Sequence, residues 1–133
     1  MSDAPCPCGS GATYARCCGP IHQRGAGLGI TAEQLMRARY TAYVRGDQEF
    51  LARSWHPDTR PDPLAPDPAV EWLGLTVLAT TGGSGLDAEG TVTFEARYRV
   101  AGQPSAMAEQ SRFVRLDGGW VYVDGDHRPV SAG

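Results

Sequence analysis

Beyond residue 18 the chain has no cysteine, and nowhere in its 133 residues is there a lysine or an internal repeat. No apolar run approaches the ~20 residues that a membrane helix needs, so no segment is expected to span or anchor to a membrane. The start, Met1-Ser2-Asp3-Ala4-Pro5, has neither the cationic opening nor the apolar stretch of a secretory signal. Read alone, that predicts a cytoplasmic protein with reduced thiols. Positive charge is scarce as well: twelve arginines face fifteen carboxylates, for a formal net charge of -3. Residues 1–20 set Arg16 against Asp3, and residues 61–90 hold five carboxylates and no arginine. Nucleic-acid binders present a basic face, so direct nucleic-acid binding is not expected. Gly82-Gly83-Ser84-Gly85 lacks the lysine and following helix of a phosphate loop and reads as a hairpin loop.

What is present is concentrated at the start. All four cysteines lie in the pattern Cys6-Pro7-Cys8, eight residues, Cys17-Cys18. A structural metal site takes four soft ligands in a tetrahedron, usually supplied as two close pairs, and two pairs are what this segment offers. Gly9-Ser10-Gly11 follows the first pair, where the chain must turn tightly and aim N–H groups at sulfur. The rival use of four cysteines is a disulfide framework. The absence of an export signal and the adjacency of Cys17 and Cys18 weigh against it. Zinc is the default ion, and a tetrahedron of thiolates also accepts iron. His22, four residues after Cys18, is a candidate spare ligand.

Cys6-Pro-Cys-Gly-Ser-Gly-Ala-Thr-Tyr-Ala-Arg-Cys-Cys-Gly-Pro20 resembles the SEC-C motif. That motif is the zinc-binding tail of the bacterial preprotein-translocase ATPase, where it contacts the export chaperone and the ribosome. With Leu35-Met36-Arg37-Ala38-Arg39-Tyr40, Trp55-His56-Pro57-Asp58, Trp72-Leu73-Gly74-Leu75 and Trp120-Val121-Tyr122-Val123-Asp124-Gly125, the chain resembles the YchJ-like (UPF0225) family over nearly its whole length. The resemblance implies a SEC-C motif joined to a domain like nuclear transport factor 2, a metal, and a protein partner such as the ribosome or the export chaperone. It implies no reaction. Where the family commonly carries a histidine before Glu-x-Ser-x-Phe, this chain has Ala108.

Two modules are expected: a SEC-C-like metal-binding motif over 1–24 and an NTF2-like domain over 25–133. Residues 19–30, with four glycines and one proline, read as a flexible connection between them. Thr31 opens a capping box with Gln34, and Met36, Tyr40, Tyr43 and Val44 share a helical face that Gly46 terminates. A second helix begins at Asp47, brings Phe50, Leu51 and Trp55 to the core and closes at Pro57. Five prolines from His56 to Pro68 predict an extended crossing. Alternation through Thr91–Val100, with earlier and later strands over Leu73–Thr80, Met107–Leu116 and Trp120–Asp124, reads as an antiparallel meander, and Asp117-Gly118 is a hairpin turn. Helices first and a meander afterwards predict an α+β domain with helices packed on one face of the sheet, preceded by a four-cysteine metal knuckle. The resemblance implies its NTF2-like (cystatin-like) form, a curved antiparallel sheet that curls around the helices and leaves a conical pocket.

Such a cone is the default place for ligand chemistry, with Arg39, Tyr43, Trp55, His56, Trp72, Glu109, Ser111 and Asp124 as pocket candidates. If Phe113 faces inward, so do Ser111 and Glu109. Two roles follow. In the first, the knuckle docks on a macromolecular partner and the cone holds a small ligand or a second protein. In the second, the protein is a small isomerase or hydrolase using His56 with Asp124 or Glu109. Each candidate also has a plain structural use: His56 as a helix-end hydrogen-bonding group, Glu109 as one half of an ion pair with Arg39, Arg60 or Arg112. Geometry discriminates. Convergence of His56 with a carboxylate around an open cavity favours the enzyme; a cone plugged by Trp55, Trp72 and Tyr43 favours binding.

Overall fold

The computed structural model describes residues 4–24, 30–61, 64, 68–84 and 87–128. A 3₁₀ turn at Tyr14–Arg16 leads into α1 (Cys18–Arg24), followed by α2 (Ala32–Arg45), α3 (Gln48–Arg53) and four strands, β1 (Val70–Gly82), β2 (Glu89–Val100), β3 (Gln103–Leu116) and β4 (Gly119–Arg128). The strands pair antiparallel in the order β1-β2-β3-β4.

Local chemistry sets the element boundaries. The Thr31 side chain accepts from the Gln34 N–H while the Gln34 side chain accepts from the Thr31 N–H, closing the capping box of α2. Gly46 ends that helix at φ 70, a left-handed conformation glycine reaches without Cβ strain. Asp47 caps α3 through the Phe50 N–H. Asp117 and Gly118, both with positive φ, form the β3–β4 turn.

The core lies between α2, α3 and the concave face of the sheet, where Leu35, Phe50, Leu51, Val92, Phe113 and Trp120 are fully buried. On the opposite face of β2, Arg97 donates to Thr76 and Arg99 pairs with Glu71.

Two sequence expectations need correction. The connection expected over 19–30 is helical up to Arg24; only 25–29, which contain the expected module boundary, lie outside the described residues. Gly19 and Pro20 look like helix breakers but occupy the first turn of α1, where proline costs no hydrogen bond. At Gly19 a Cβ would sit 2.8 Å from the Tyr14 carbonyl oxygen, so the small residue permits close packing. Of the extended crossing expected over 56–68, Pro57–Thr59 form a turn, and 62–63 and 65–67 lie outside the described residues.

Candidate metal centre and cavity

The four cysteines converge. Cys6, Cys8 and Cys18 are buried and Cys17 is partly exposed, and all four are free thiols. Their sulfurs lie within 4.8 Å of one another, with Cys8–Cys17 at 3.6 Å and Cys17–Cys18 at 3.9 Å. A tetrahedral ion with metal–sulfur bonds of about 2.3 Å sets its sulfurs about 3.8 Å apart, so the cluster fits such an ion.

The ligands are held by the knuckle's own ribbon and by α2. Residues 5–13 fold into a tight ribbon in which Cys6 N–H donates to Ala12 O and Gly9 N–H to Cys6 O. The Ser10 hydroxyl reaches Cys17 Sγ at 3.1 Å. From α2, Thr41 Oγ1 donates to Cys18 Sγ at 3.3 Å and lies 3.7 Å from Cys6 Sγ. Arg37 Nη1 donates to the Cys8 carbonyl and Arg53 Nη2 to the His22 carbonyl, while the Arg45 guanidinium stacks 4.2 Å over the Tyr14 ring.

The sulfurs cannot share charge equally without a metal. Cys8 is drawn down to about 4, chiefly because the Cys18 thiol hydrogen-bonds to it, with Ser10 and Cys17 adding to the effect. Cys18 is pushed up as the donor in that bond and by burial, and burial raises Cys17. A cation is what lets several neighbouring thiols ionise together.

His22 is not a fifth partner. Its Nδ1 is 2.8 Å from the Tyr14 hydroxyl and its Nε2 is 2.8 Å from the Ala38 carbonyl. Because a carbonyl only accepts, Nε2 carries the proton and Nδ1 accepts from Tyr14; neither nitrogen is left for a metal.

Thr41 was not legible as a site residue, and its role is testable. Thr41→Val keeps the shape but removes the hydroxyl that touches two sulfurs. Metal affinity is expected to fall by about 10-fold or more with the fold retained, as for other groups that orient ligands. Competition with a chromophoric chelator measures this, and unchanged affinity would remove Thr41 from the site.

The second feature is a cavity of about 220 Å³ between α2 and the concave sheet. Arg39, Tyr43, Trp55, Trp72, Glu109 and Ser111 line it, as do Met107 and Tyr122, which were not among the sequence candidates. Trp72 packs against Tyr40, Tyr43 and Tyr98 with centroids 5.6 to 5.9 Å apart. These rings form a wall and leave the cone open. Arg39, only 4% exposed, lies between the Trp55 and Tyr122 rings, with its guanidinium carbon 4.8 and 4.5 Å from their centroids. Its Nη1 donates to Leu51 O and Ser54 Oγ. Burial lowers its pKa to about 10. Opposite, Glu109 Oε2 accepts from Ser111 Oγ at 2.6 Å and Tyr122 OH at 3.1 Å. Burial, and then the Glu109 charge, raise the Tyr122 pKa. Glu109 has room because Gly125, the partner of Ser111 on β4, has no Cβ, which would collide with the Glu109 carboxylate.

His56 and Asp124 lie outside this cavity. His56 N–H donates to Tyr122 O on β4, and its Nδ1 accepts from the Asp58 N–H, so the ring closes the turn that follows α3 and does not serve the last carbonyls of that helix. Asp124, a pocket candidate expected at the end of the last strand, does not face the cavity. A register shift pairs Phe113 with Tyr122 but Arg112 with Asp124, which makes Val123 an extra residue on β4. One inserted residue reverses the face. Asp124 therefore points out and joins Asp126 on Arg112 at 2.6 Å each, an exposed pairing that keeps Asp126 below the usual carboxylate range. Trp55 is only partly buried and acts as a cavity wall, not a core residue. Ala108 alternates with the inward-facing Met107 and Glu109, so a side chain there leaves the cavity untouched.

The pattern described as YchJ, middle NTF2-like domain, matches residues 31–125, and the SEC-C motif matches residues 4–20. The chain is 49% identical to a UPF0225 protein of Streptomyces coelicolor, across 95% of this chain and 98% of that one. It is 51% identical to a UPF0225 protein of Ralstonia nicotianae, across 92% and 91%. The solution structure of a SEC-C motif containing protein from Rhodopseudomonas palustris matches with a TM-score of 0.79 at 34% identity, covering 93% of this chain and 98% of that one. A crystal structure of a SEC-C motif containing protein from Psychrobacter arcticus matches with a TM-score of 0.73 at 26% identity, covering 96% and 84%. With these likenesses and a four-cysteine cluster that fits a metal-binding protein, the chain belongs to the YchJ-like UPF0225 family, which joins a SEC-C motif to an NTF2-like domain.

Proposed function

We propose that this is a cytoplasmic binding protein whose zinc-loaded knuckle docks on a protein partner while its cone holds a small ligand. The observation that carries the reading is the shell of four sulfurs: a tetrahedral ion with four thiolates has no open position for an activated water, so the metal organises a surface and performs no chemistry. Zinc is preferred to iron because it is redox-inert and suits a closed structural site. One side of the knuckle is covered by α2, whereas Pro5, Gly9, Ser10, Gly11, Ala15 and Arg16 are exposed at its tip. Small, weakly charged residues there allow another protein's backbone to approach closely. Resemblance to the SEC-C tail of the export ATPase supports the ribosome or the export chaperone as the partner. The enzyme alternative is weakened because His56 and Asp124 lie away from the cavity that Glu109 lines.

Co-sedimentation of the zinc-loaded chain with ribosomes, and its capture on immobilised export chaperone, test the docking role. Binding to one of the two by the wild type, lost in Cys17→Ser and kept in His56→Ala, is the expected result. Binding to neither, or equal binding by Cys17→Ser, would overturn it.

A further inference from the structure

The cavity holds one buried cation and one carboxylate, and these do not pair with each other. Among the described residues, only Nη1 of Arg39 has hydrogen-bond acceptors, and no carboxylate comes within ion-pair distance of its guanidinium. Nε and Nη2 have no protein acceptor, yet they are not sealed in: the only sealed, unpartnered side-chain polar atoms among these residues are Trp55 Nε1 and Trp120 Nε1. Arg39 lines the cavity, so its unpaired donors face it. Glu109 likewise uses Oε2 for both Ser111 and Tyr122, and among the described residues no donor reaches Oε1.

A guanidinium buried without a carboxylate is costly to hold, and residues are rarely retained that way without a use. Here the Trp55 and Tyr122 rings flank the guanidinium carbon while Leu51 O and Ser54 Oγ hold Nη1, which leaves Nε and Nη2 free. A planar fork with two free N–H donors matches a carboxylate. A ligand with that group alone would add net negative charge to an apolar chamber already containing Glu109. A ligand with an ammonium alone would do the reverse beside Arg39. Only a ligand carrying both charges leaves the chamber neutral and both protein groups paired.

Size narrows the choice. A chamber of about 220 Å³ has room for about seven waters and falls below the range of about 300–1,000 Å³ usual for cofactor-sized ligands. The remaining wall, formed by Trp72, Tyr43, Met107 and Phe94, is apolar and largely aromatic. We propose that the cone binds a free α-amino acid with an apolar or aromatic side chain, its carboxylate on Arg39, its ammonium on Glu109 and its side chain against Trp72. This rests on the ligand-holding role proposed above for the cone and is independent of what the knuckle docks on.

Titration calorimetry of the full, zinc-loaded chain with no partner present decides the matter. The probes are L-phenylalanine, L-leucine, phenylacetate and phenethylamine. At least one amino acid should bind at least 10-fold more tightly than either single-charge analogue. Glu109→Gln should erase the advantage over phenylacetate, and Arg39→Lys should weaken every carboxylate. If Arg39→Lys fails to fold, the probe series on the wild type and Glu109→Gln still decides. Phenethylamine or phenylacetate binding as tightly as phenylalanine, or no binding by any amino acid, would overturn the assignment. Partner capture by the knuckle would stand or fall separately.

Discussion

Stripping the metal from the full chain, or replacing Cys18 with Ser, is expected to unfold the segment from Pro5 to Arg24 and leave the four-stranded sheet standing. Cys18 is fully buried and faces Thr41, so no water reaches it to replace a lost ligand. Apart from the packing of Tyr14, Ile21 and His22 against the core, the segment has little regular structure of its own. A 3₁₀ turn and a seven-residue helix lie well below the length at which a helix is stable in water. Structural zinc in comparably small modules contributes on the order of 10–16 kcal/mol at neutral pH, far more than the arginine contacts to Cys8 O and His22 O can supply. The larger core around Phe50, Val92, Phe113 and Trp120 lies outside the segment and should persist, with some loss of stability where α2 is uncovered. Amide exchange reads both parts at once: protection at Cys6, Cys17 and Ile21 should vanish while that of β2 and β3 survives. The sign with pH is fixed by the ligands, which bind as thiolates, so acidification should release the metal and reproduce the unfolding. Retained protection of Cys6 and Cys17 after complete metal removal would contradict this.

Trp120→Ala should be the most damaging single substitution in the sheet domain. Its side chain is fully buried where β4 meets the helices, with the Arg115 guanidinium 4.2 Å over the ring. Truncation removes a large apolar surface and leaves a cavity that neighbouring strands cannot close, for an expected loss of about 3–5 kcal/mol. The Nε1 donor has no partner, so no hydrogen bond is lost to add to that figure. For a domain of this size the melting temperature should drop by roughly 10–20 °C. Trp55→Ala is the control, because Trp55 borders the open cavity and its removal enlarges existing space. A Trp55→Ala loss equal to that of Trp120→Ala would mean that the two rings have been assigned the wrong roles.

Features set by local chemistry were readable in the sequence. The Thr31–Gln34 capping box, the Gly46 stop and the Asp117-Gly118 turn all depend on side chains a few residues apart, and the cysteine spacing carries its own tetrahedral logic. Features set by distant contacts were not. The extra residue at Val123 leaves no mark on the hydrophobic alternation, yet it turns Asp124 from the cavity to the solvent. Thr41 looks like an ordinary helical residue until the cysteines fold against it. A signal was present in the composition of α2, where Ala38, Thr41 and Ala42 are small and fully buried because a second layer, the knuckle, packs on the face away from the sheet. Arg39 could be named from sequence as a pocket residue, but not its unpaired state, since that depends on Glu109 being held by Ser111 and Tyr122.

X-ray absorption at the metal edge of the purified chain tests the central claim most directly. The account predicts about one zinc per chain with four sulfur neighbours near 2.3 Å and no nitrogen, because both nitrogens of His22 are occupied by Tyr14 and Ala38. A shell with one nitrogen or a bound water in place of a sulfur, or metal-free protein with its cysteines joined in disulfides, would contradict it.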